Sequence, residues 1–382
     1  MHVMLIAPEI LDTHTKRFLQ MLLGNGYIVT CVGKDNPIPE GNERFSYIKY
    51  PDVYISRRLR PQKLRRTLTE WVIALRLRRI WRDVKPDVVH VLHITLQAYH
   101  CALAKLSPLV LTAVGSDIND RFETGHDDPE RRKKIGEALS AANHITADTH
   151  EVLERCEILA GRPLNSSLFY FGIDLNLFRP RSVDEKLLLR QKLGIPIESK
   201  VILSPRRLTT KMKHDVVLMA FAEFKKTSDI AAVLIFRKFS FYSVPFQSAI
   251  NELAKKLGIS DKVIWVDEMD YLQIPILYSL ADLIINIPEQ DGLPVTLFES
   301  SACMTPVITS NLSAYKEFLA NGAYYCVEVE DVQGVVDMMN LILGEHDEDN
   351  MEKLQKNHNL IVQKADKEKC FSVIEGIYQD IV

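Results

Sequence analysis

Short apolar runs alternate with amphipathic stretches along the whole chain. Val3–Ala7, Ile28–Val32, Val88–Leu92 and Val110–Val114 read as buried strands. Between them, Thr15–Leu23 and Leu68–Arg82 carry apolar residues at three- and four-residue spacing, the pattern of helices with one buried face. The second half repeats the scheme. Val201–Ser204, Ala232–Phe236, Val263–Val266 and Leu283–Ile287 read as strands, with helices over Asp215–Lys225, Phe246–Leu257 and Ile274–Ala281. Strands alternating with helices of this length predict parallel sheets. Two such sets predict an α/β protein of two doubly wound, Rossmann-like domains facing across a cleft. The boundary is expected near Phe178–Asp184, after a strand-like Ser167–Phe171 and the turn signal Gly172-Ile173-Asp174. The expected domains are therefore residues 1–180 and 181–365, with 366–382 as a last helix able to pack on either.

Composition sharpens this only slightly. The chain has 382 residues, of which 47% are hydrophobic and 25% charged, so each half can bury a core. No two of the six cysteines form a CxxC pair, which argues against a zinc site or a disulfide framework. Six reduced thiols, mostly buried, imply the cytoplasm. The N-terminal MHVMLIAPEIL has no basic leader and no cleavage site, and reads as a first strand ending at Pro8. No stretch approaches a membrane span, so any membrane contact would be made from the side.

The chemistry concentrates in DGLPVTLFESSACMTPVI, Asp291 to Ile308. It follows a strand, and in open parallel sheets ligands bind beyond the carboxyl ends of strands. Pro294 suits the first position of a helix over Val295–Met304, whose amides attract an anion. Gly292 permits close backbone approach. Gly292, Leu293, Pro294 and Val295 are thus candidates to line a diphosphate. Glu299, one turn further on, is placed to accept hydrogen bonds from a ribose diol, and Asp291 to meet a sugar beyond the diphosphate. The plain alternative is an ordinary loop and helix with a solvent-facing Glu299.

This string resembles the signature of the family 4 glycosyltransferases, retaining enzymes of the GT-B fold and of the "glycosyl transferases group 1" type. That family carries two acids with seven residues between them, a small-residue helix and a Thr-Pro-Val-Ile strand. Asp291 and Glu299 have that spacing, although the family's first acid is usually Glu. LSPRRLTTKMKHDVVLMAF resembles its diphosphate-binding segment, which implies Arg207, with Arg206 as a rival, and Lys213, with Lys211 as the alternative. FYFGIDLNLFRP resembles the domain junction. PDVVHVLHITLQAYH and PLVLTAVGSDIND resemble two strands of the first domain with their loops.

There are departures as well. Val114 stands where many relatives have a sugar-contacting His, while Gly115, Ser116 and Asp117 keep the pattern. The first loop, PEILDTHTKRF, lacks the family's Gly-Gly pair. There Thr13, His14 and Thr15 remain as donors, and His14 and His93 as sugar- or acceptor-side groups.

The resemblance implies transfer of a sugar from a nucleotide-sugar (UDP, GDP or ADP) to a glycan or lipid-linked acceptor, in surface polysaccharide or glycolipid assembly. It implies no metal and no other cofactor, and the chain shows no Asp-x-Asp signature. The weaker alternatives are a GT-B epimerase or phosphorylase, and a catalytically idle binding subunit.

One segment lies outside that pattern. Arg57–Arg82, RRLRPQKLRRTLTEWVIALRLRRIWR, sets ten basic residues against the single acid Glu70. Trp71, Ile73, Leu75, Leu77, Ile80 and Trp81 are interleaved with them. Basic and apolar residues on a helical pattern suit an anionic membrane surface. No nucleic-acid motif accompanies them, and a solvated helix face is the plain alternative.

Overall fold

A computed structural model describes residues 1–7, 13–34, 42–53, 61–115, 117–119, 128–238, 244–267, 269, 272–344 and 347–382. The chain forms two units, Met1–Gly172 with Lys367–Val382, and Ile173–Asp366.

In the first unit, seven parallel strands lie in the order β3-β2-β1-β4-β5-β6-β7. They are β1 (His2–Ile6), β2 (Ile28–Gly33), β3 (Phe45–Lys49), β4 (Val88–Leu92), β5 (Leu109–Thr112), β6 (His144–Ala147) and β7 (Ser166–Leu168). Alternation along β1 shows how the sheet is covered. Met4 and Ile6 join Leu77, Ala98, Cys101 and Ile135 on one face. Val3 and Leu5 join Phe18, Leu22, Ile374 and Tyr378 on the other. Burying each such side chain contributes about 1.5–3 kcal/mol, so both layers are well supported.

The last helix, Lys367–Ile381, packs against this sheet and belongs to the first unit. The backbones meet closely where the chain leaves and returns. A Cβ on Gly172 would stand 2.6 Å from the Lys367 Cα, which leaves room only for glycine. Phe178 and Arg179 lie in the second unit, past the crossover. The Phe178 ring sits 6.1 Å edge-on from Tyr278, and the Ser279 hydroxyl donates to the Arg179 carbonyl.

The second unit has six parallel strands in the order β10-β9-β8-β11-β12-β13. They are β8 (Lys200–Ser204), β9 (Ala232–Arg237), β10 (Val263–Val266), β11 (Leu283–Asn286), β12 (Val307–Ser310) and β13 (Tyr325–Val327). The apolar runs predict β8 to β11 to within a residue or so. Pattern alone does not reveal β6, whose sequence is HITA. That strand is buried throughout because its polar groups pair across the sheet, Thr146 with Thr112 at 2.6 Å and His144 with Ser167 at 3.0 Å.

The same polar layer holds His90. Its Nδ1 lies 2.5 Å from the Tyr378 hydroxyl and its Nε2 lies 2.7 Å from Thr112. Burial lowers its pKa to about 3, and His100 and His214 are likewise pushed down to about 4. Unfolded histidines titrate near 6.5 and take up protons that the folded chain refuses. Stability is therefore expected to fall as pH drops from about 6.5 towards 4 and to level off below the folded values. Each histidine adds a slope of up to about 1.4 kcal/mol per pH unit. Urea unfolding across that range measures it, and His90→Gln should flatten the slope; an unchanged slope would refute the assignment.

Candidate active site

The order of strands in the second unit puts a topological switch point between β8 and β11. From β8 the chain winds to β9 and β10 on one side, and from β11 to β12 and β13 on the other. The chain therefore leaves β8 and β11 towards opposite sides of the sheet, the arrangement that in open parallel sheets places a ligand crevice at the carboxyl ends of the strands. Both loops carry the residues singled out by sequence.

The loop after β8 spans residues 205–213. Arg206 is half-buried and Arg207 is exposed. His214, which no motif announced, shapes the loop from below. Its Nε2 lies 3.0 Å from the Arg207 carbonyl and its Nδ1 lies 3.0 Å from the Ser204 hydroxyl. A carbonyl only accepts, so Nε2 carries the proton and Nδ1 accepts from Ser204. The lowered pKa keeps the ring neutral, as this arrangement needs. Lys213 ends a short 3-10 turn, Thr210–Met212, in the left-handed region at φ 50°, immediately before the helix His214–Thr227. Its ammonium lies 2.5 Å from Glu289 and 2.6 Å from Glu330. Hydrogen bonds to Glu289 and then Glu330 raise its pKa, so it is held charged. Lys211 reaches the Gln290 side chain at 2.7 Å, and the Glu289 amide donates to the Lys211 carbonyl.

The loop after β11 runs to Pro294 and into the helix Val295–Ala302. Asp291 Oδ2 accepts from Arg206 at 2.6 Å and from the Tyr315 hydroxyl at 3.1 Å, and Oδ1 accepts from the Gly292 amide. Tyr315 is fully buried; burial, followed by the Asp291 charge, pushes its pKa well up, so the phenol stays a donor. Arg206 and Asp291 thus engage each other. Pro294 is the N-cap of the helix rather than its first residue, and its side chain makes no cap hydrogen bond to the amides that follow. Leu293 is buried beneath the loop, and Val295 opens the helix.

Glu299 lies on the inner side of this helix and is buried. Burial, followed by the charge of the nearby Glu299 carboxylate, raises the Tyr278 pKa well above its usual value. The solvent-facing alternative therefore does not hold, because the Glu299 side chain is buried.

The first unit has the same topology, with its switch point between β1 and β4. His93 follows β4 in the left-handed region at φ 64°. Asp117 joins two loops, accepting from the Ile94 amide at 2.6 Å and the Val114 amide at 3.1 Å. Gly115, at φ 91°, lets the backbone turn there. Val114 packs half-buried against the sheet. His14 lies on the helix Thr13–Gly24 with its ring 4.7 Å from Phe171, and Thr15 is fully buried beside it. Ser116, residues 8–12 of the first loop, and Arg57, Arg58 and Arg60 lie outside the described residues. Five of the six cysteines are buried thiols and Cys326 is exposed. Among the described residues no group of three His, Cys, Asp or Glu could hold a metal ion.

Two doubly wound parallel-sheet units of this kind define the GT-B class. Residues 185–361 match the family model described as glycosyl transferases group 1, and residues 2–149 match glycosyl transferase 4-like. The chain belongs to the group 1 glycosyltransferases, a family of transferase enzymes. It is 24% identical over 308 residues to the N-acetyl-alpha-D-glucosaminyl L-malate synthase of Bacillus anthracis, covering 78% of this chain and 75% of that protein. It is 32% identical over 173 residues to the alpha-monoglucosyldiacylglycerol synthase of Streptococcus pneumoniae. That match covers 43% of this chain and 37% of the relative, so the chain spans little more than a third of the latter. In fold it is similar to Anabaena Alr3699/HepE, solved in complex with UDP and glucose, with a TM-score of 0.78 at 13% identity over 100% of both chains.

Proposed function

We propose that the protein transfers a sugar from a nucleotide-sugar donor, held by the second unit, to a glycan or lipid-linked acceptor bound by the first, with retention at the anomeric carbon. The gathering of Arg207, Lys213 and the start of the helix Val295–Ala302 around one switch point carries this reading. The donor diphosphate takes the place of Glu289 and Glu330 as the partner of Lys213 and is gripped by Arg207, with Arg206 and Lys211 nearby. Gly292, Leu293, Pro294 and Val295 line it. Glu299 receives the ribose hydroxyls, and Asp291, steadied by Arg206, serves the sugar end.

The reaction breaks the bond between the anomeric carbon and the diphosphate oxygen. The acceptor hydroxyl attacks the same face, and its proton passes to the departing phosphate oxygen. The negative charge that grows on the diphosphate is met by fixed cations and amides, an electrostatic stabilisation that asks for no metal.

The experiment is a turnover assay with UDP-glucose, GDP-mannose and ADP-glucose, using a membrane lipid extract and free oligosaccharides as acceptors, read by nucleotide release. The anomeric proton coupling of the product gives its configuration. One donor is expected to turn over with the α configuration kept. An inverted product, or no turnover with any pair, would contradict the proposal.

A further inference from the structure

We infer that the helix Gln62–Val84 presents a built lipid-facing seam with which the first unit lies against an anionic bilayer surface. The helix has two distinct apolar faces. Ala74 and Leu77 are buried in the core of the unit, and Ile73, Ile80 and Trp81 pack against that core. A second set points away from it: Leu64, Leu68, Trp71 and Leu75 are 46%, 40%, 50% and 63% exposed. Their spacing of four, three and four residues stacks them in one line, about 16 Å long at 1.5 Å per residue. A helix already anchored by one face gains nothing in folding from a second apolar line in water, and large exposed apolar patches mark interaction sites.

The charge around the line identifies the occupant. The same four- and three-residue steps continue to Arg79 and Arg82, both exposed, so the seam ends in two guanidinium groups. Lys63 and Arg76 are exposed beside it. Seven basic residues stand on the helix against two acids, Glu70 and Asp83. Glu70 is buried between Lys134 at 2.7 Å and Arg66 at 3.5 Å, and Asp83 lies 3.9 Å from Arg79, so the two acids of the helix pair with two of its seven basic residues and leave a net positive face. A second copy of this chain packed on the seam would bring like charges together with one exposed acid to relieve them. A nucleic acid would leave the leucines and Trp71 without apolar cover. An anionic lipid surface satisfies both halves, taking the leucines and Trp71 among its upper acyl carbons and the arginines among its headgroup phosphates. The surface stands apart from the donor-site reading; only its use, bringing the transferase to a membrane-held acceptor, rests on it.

The test is flotation of the full chain, without donor or acceptor, with vesicles of phosphatidylcholine alone or with 30% phosphatidylglycerol. Light scattering of the protein alone gives its mass. Wild type is expected to float with the anionic vesicles at least tenfold more tightly than with the neutral ones. Leu68→Ser/Trp71→Ser/Leu75→Ser and Arg79→Glu/Arg82→Glu should each weaken that binding at least tenfold with an unchanged melting temperature, which is reasonable for exposed positions. No flotation with either vesicle, equal flotation with both, or full binding by the folded triple variant would overturn the inference. So would a dimer that the triple variant splits and that does not float. Because no turnover is needed, failure here is distinguishable from failure of the transferase reading.

Discussion

Replacing Lys213 with Gln is expected to lower kcat/KM for transfer by about a hundredfold to a thousandfold, with the melting temperature unchanged. Removing one preorganised charge contact to a developing anion has that size of effect. Here the effect falls at the upper end for a local reason. Lys213 stands between Glu289 and Glu330, at 2.5 and 2.6 Å. Without the ammonium, two carboxylates remain where we propose that the diphosphate binds. Adding Glu330→Gln to Lys213→Gln should then recover part of the loss, because it removes one repelling charge. Steady-state kinetics on the two variants measures both effects. A loss of less than threefold for Lys213→Gln would move the diphosphate grip elsewhere, with Lys211 the next candidate.

Asp291→Leu is expected to destabilise the second unit by about 2–4 kcal/mol and to abolish most turnover. Breaking a buried ion pair from one side costs about 3–5 kcal/mol, and this pair is discounted because each partner keeps some access to water. Side-chain exposures of 20% for Arg206 and 18% for Asp291 set that discount. The leucine also strands the hydroxyl of Tyr315, which is fully buried. Asp291→Asn keeps an acceptor for Tyr315 and should cost less in stability. Arg206→Met in the Asp291→Leu background should cost little more than Asp291→Leu alone, since the charge left unpaired is then gone. Denaturant melts of the two single variants and the double one close the cycle. Fully additive losses would mean that the 2.6 Å contact contributes nothing in solution.

These two residues also show how much could be read in advance. The loops were legible: an acid, a Gly-Leu-Pro turn and a small-residue helix stand after a strand, and two arginines and two lysines stand after another. Their convergence follows from strand order, which the alternation of strands and helices already implied. The partners were not legible. That Arg206 turns to Asp291, that Tyr278 meets Glu299 and that His214 holds the Arg207 carbonyl depend on contacts between distant segments. No periodicity encodes such contacts. The strands divided in the same way. β8, with its continuous apolar run, was plain, whereas β3 is a half-exposed edge and β6 hides its burial behind cross-sheet hydroxyl bonds. In the basic helix the residue types were legible but not their sorting. Trp81 and Ile80 face the core, while Trp71 and Leu75 face outward, because the tertiary packing selects which side is covered.

The measurement that bears most directly on the donor site is thermal stabilisation by UDP, GDP and ADP, comparing wild type with Glu299→Gln. Glutamine keeps the size of the buried side chain and removes only the charge that would hold the ribose diol. A ligand at about 100 times its dissociation constant adds about 2.7 kcal/mol of stability, an easily read shift. One nucleotide is expected to stabilise the wild type by that much, with most of the gain lost in Glu299→Gln. If no nucleotide stabilises the wild type at millimolar concentration, the donor site does not lie at the switch point between β8 and β11, and if the variant keeps the whole shift, Glu299 does not hold the ribose.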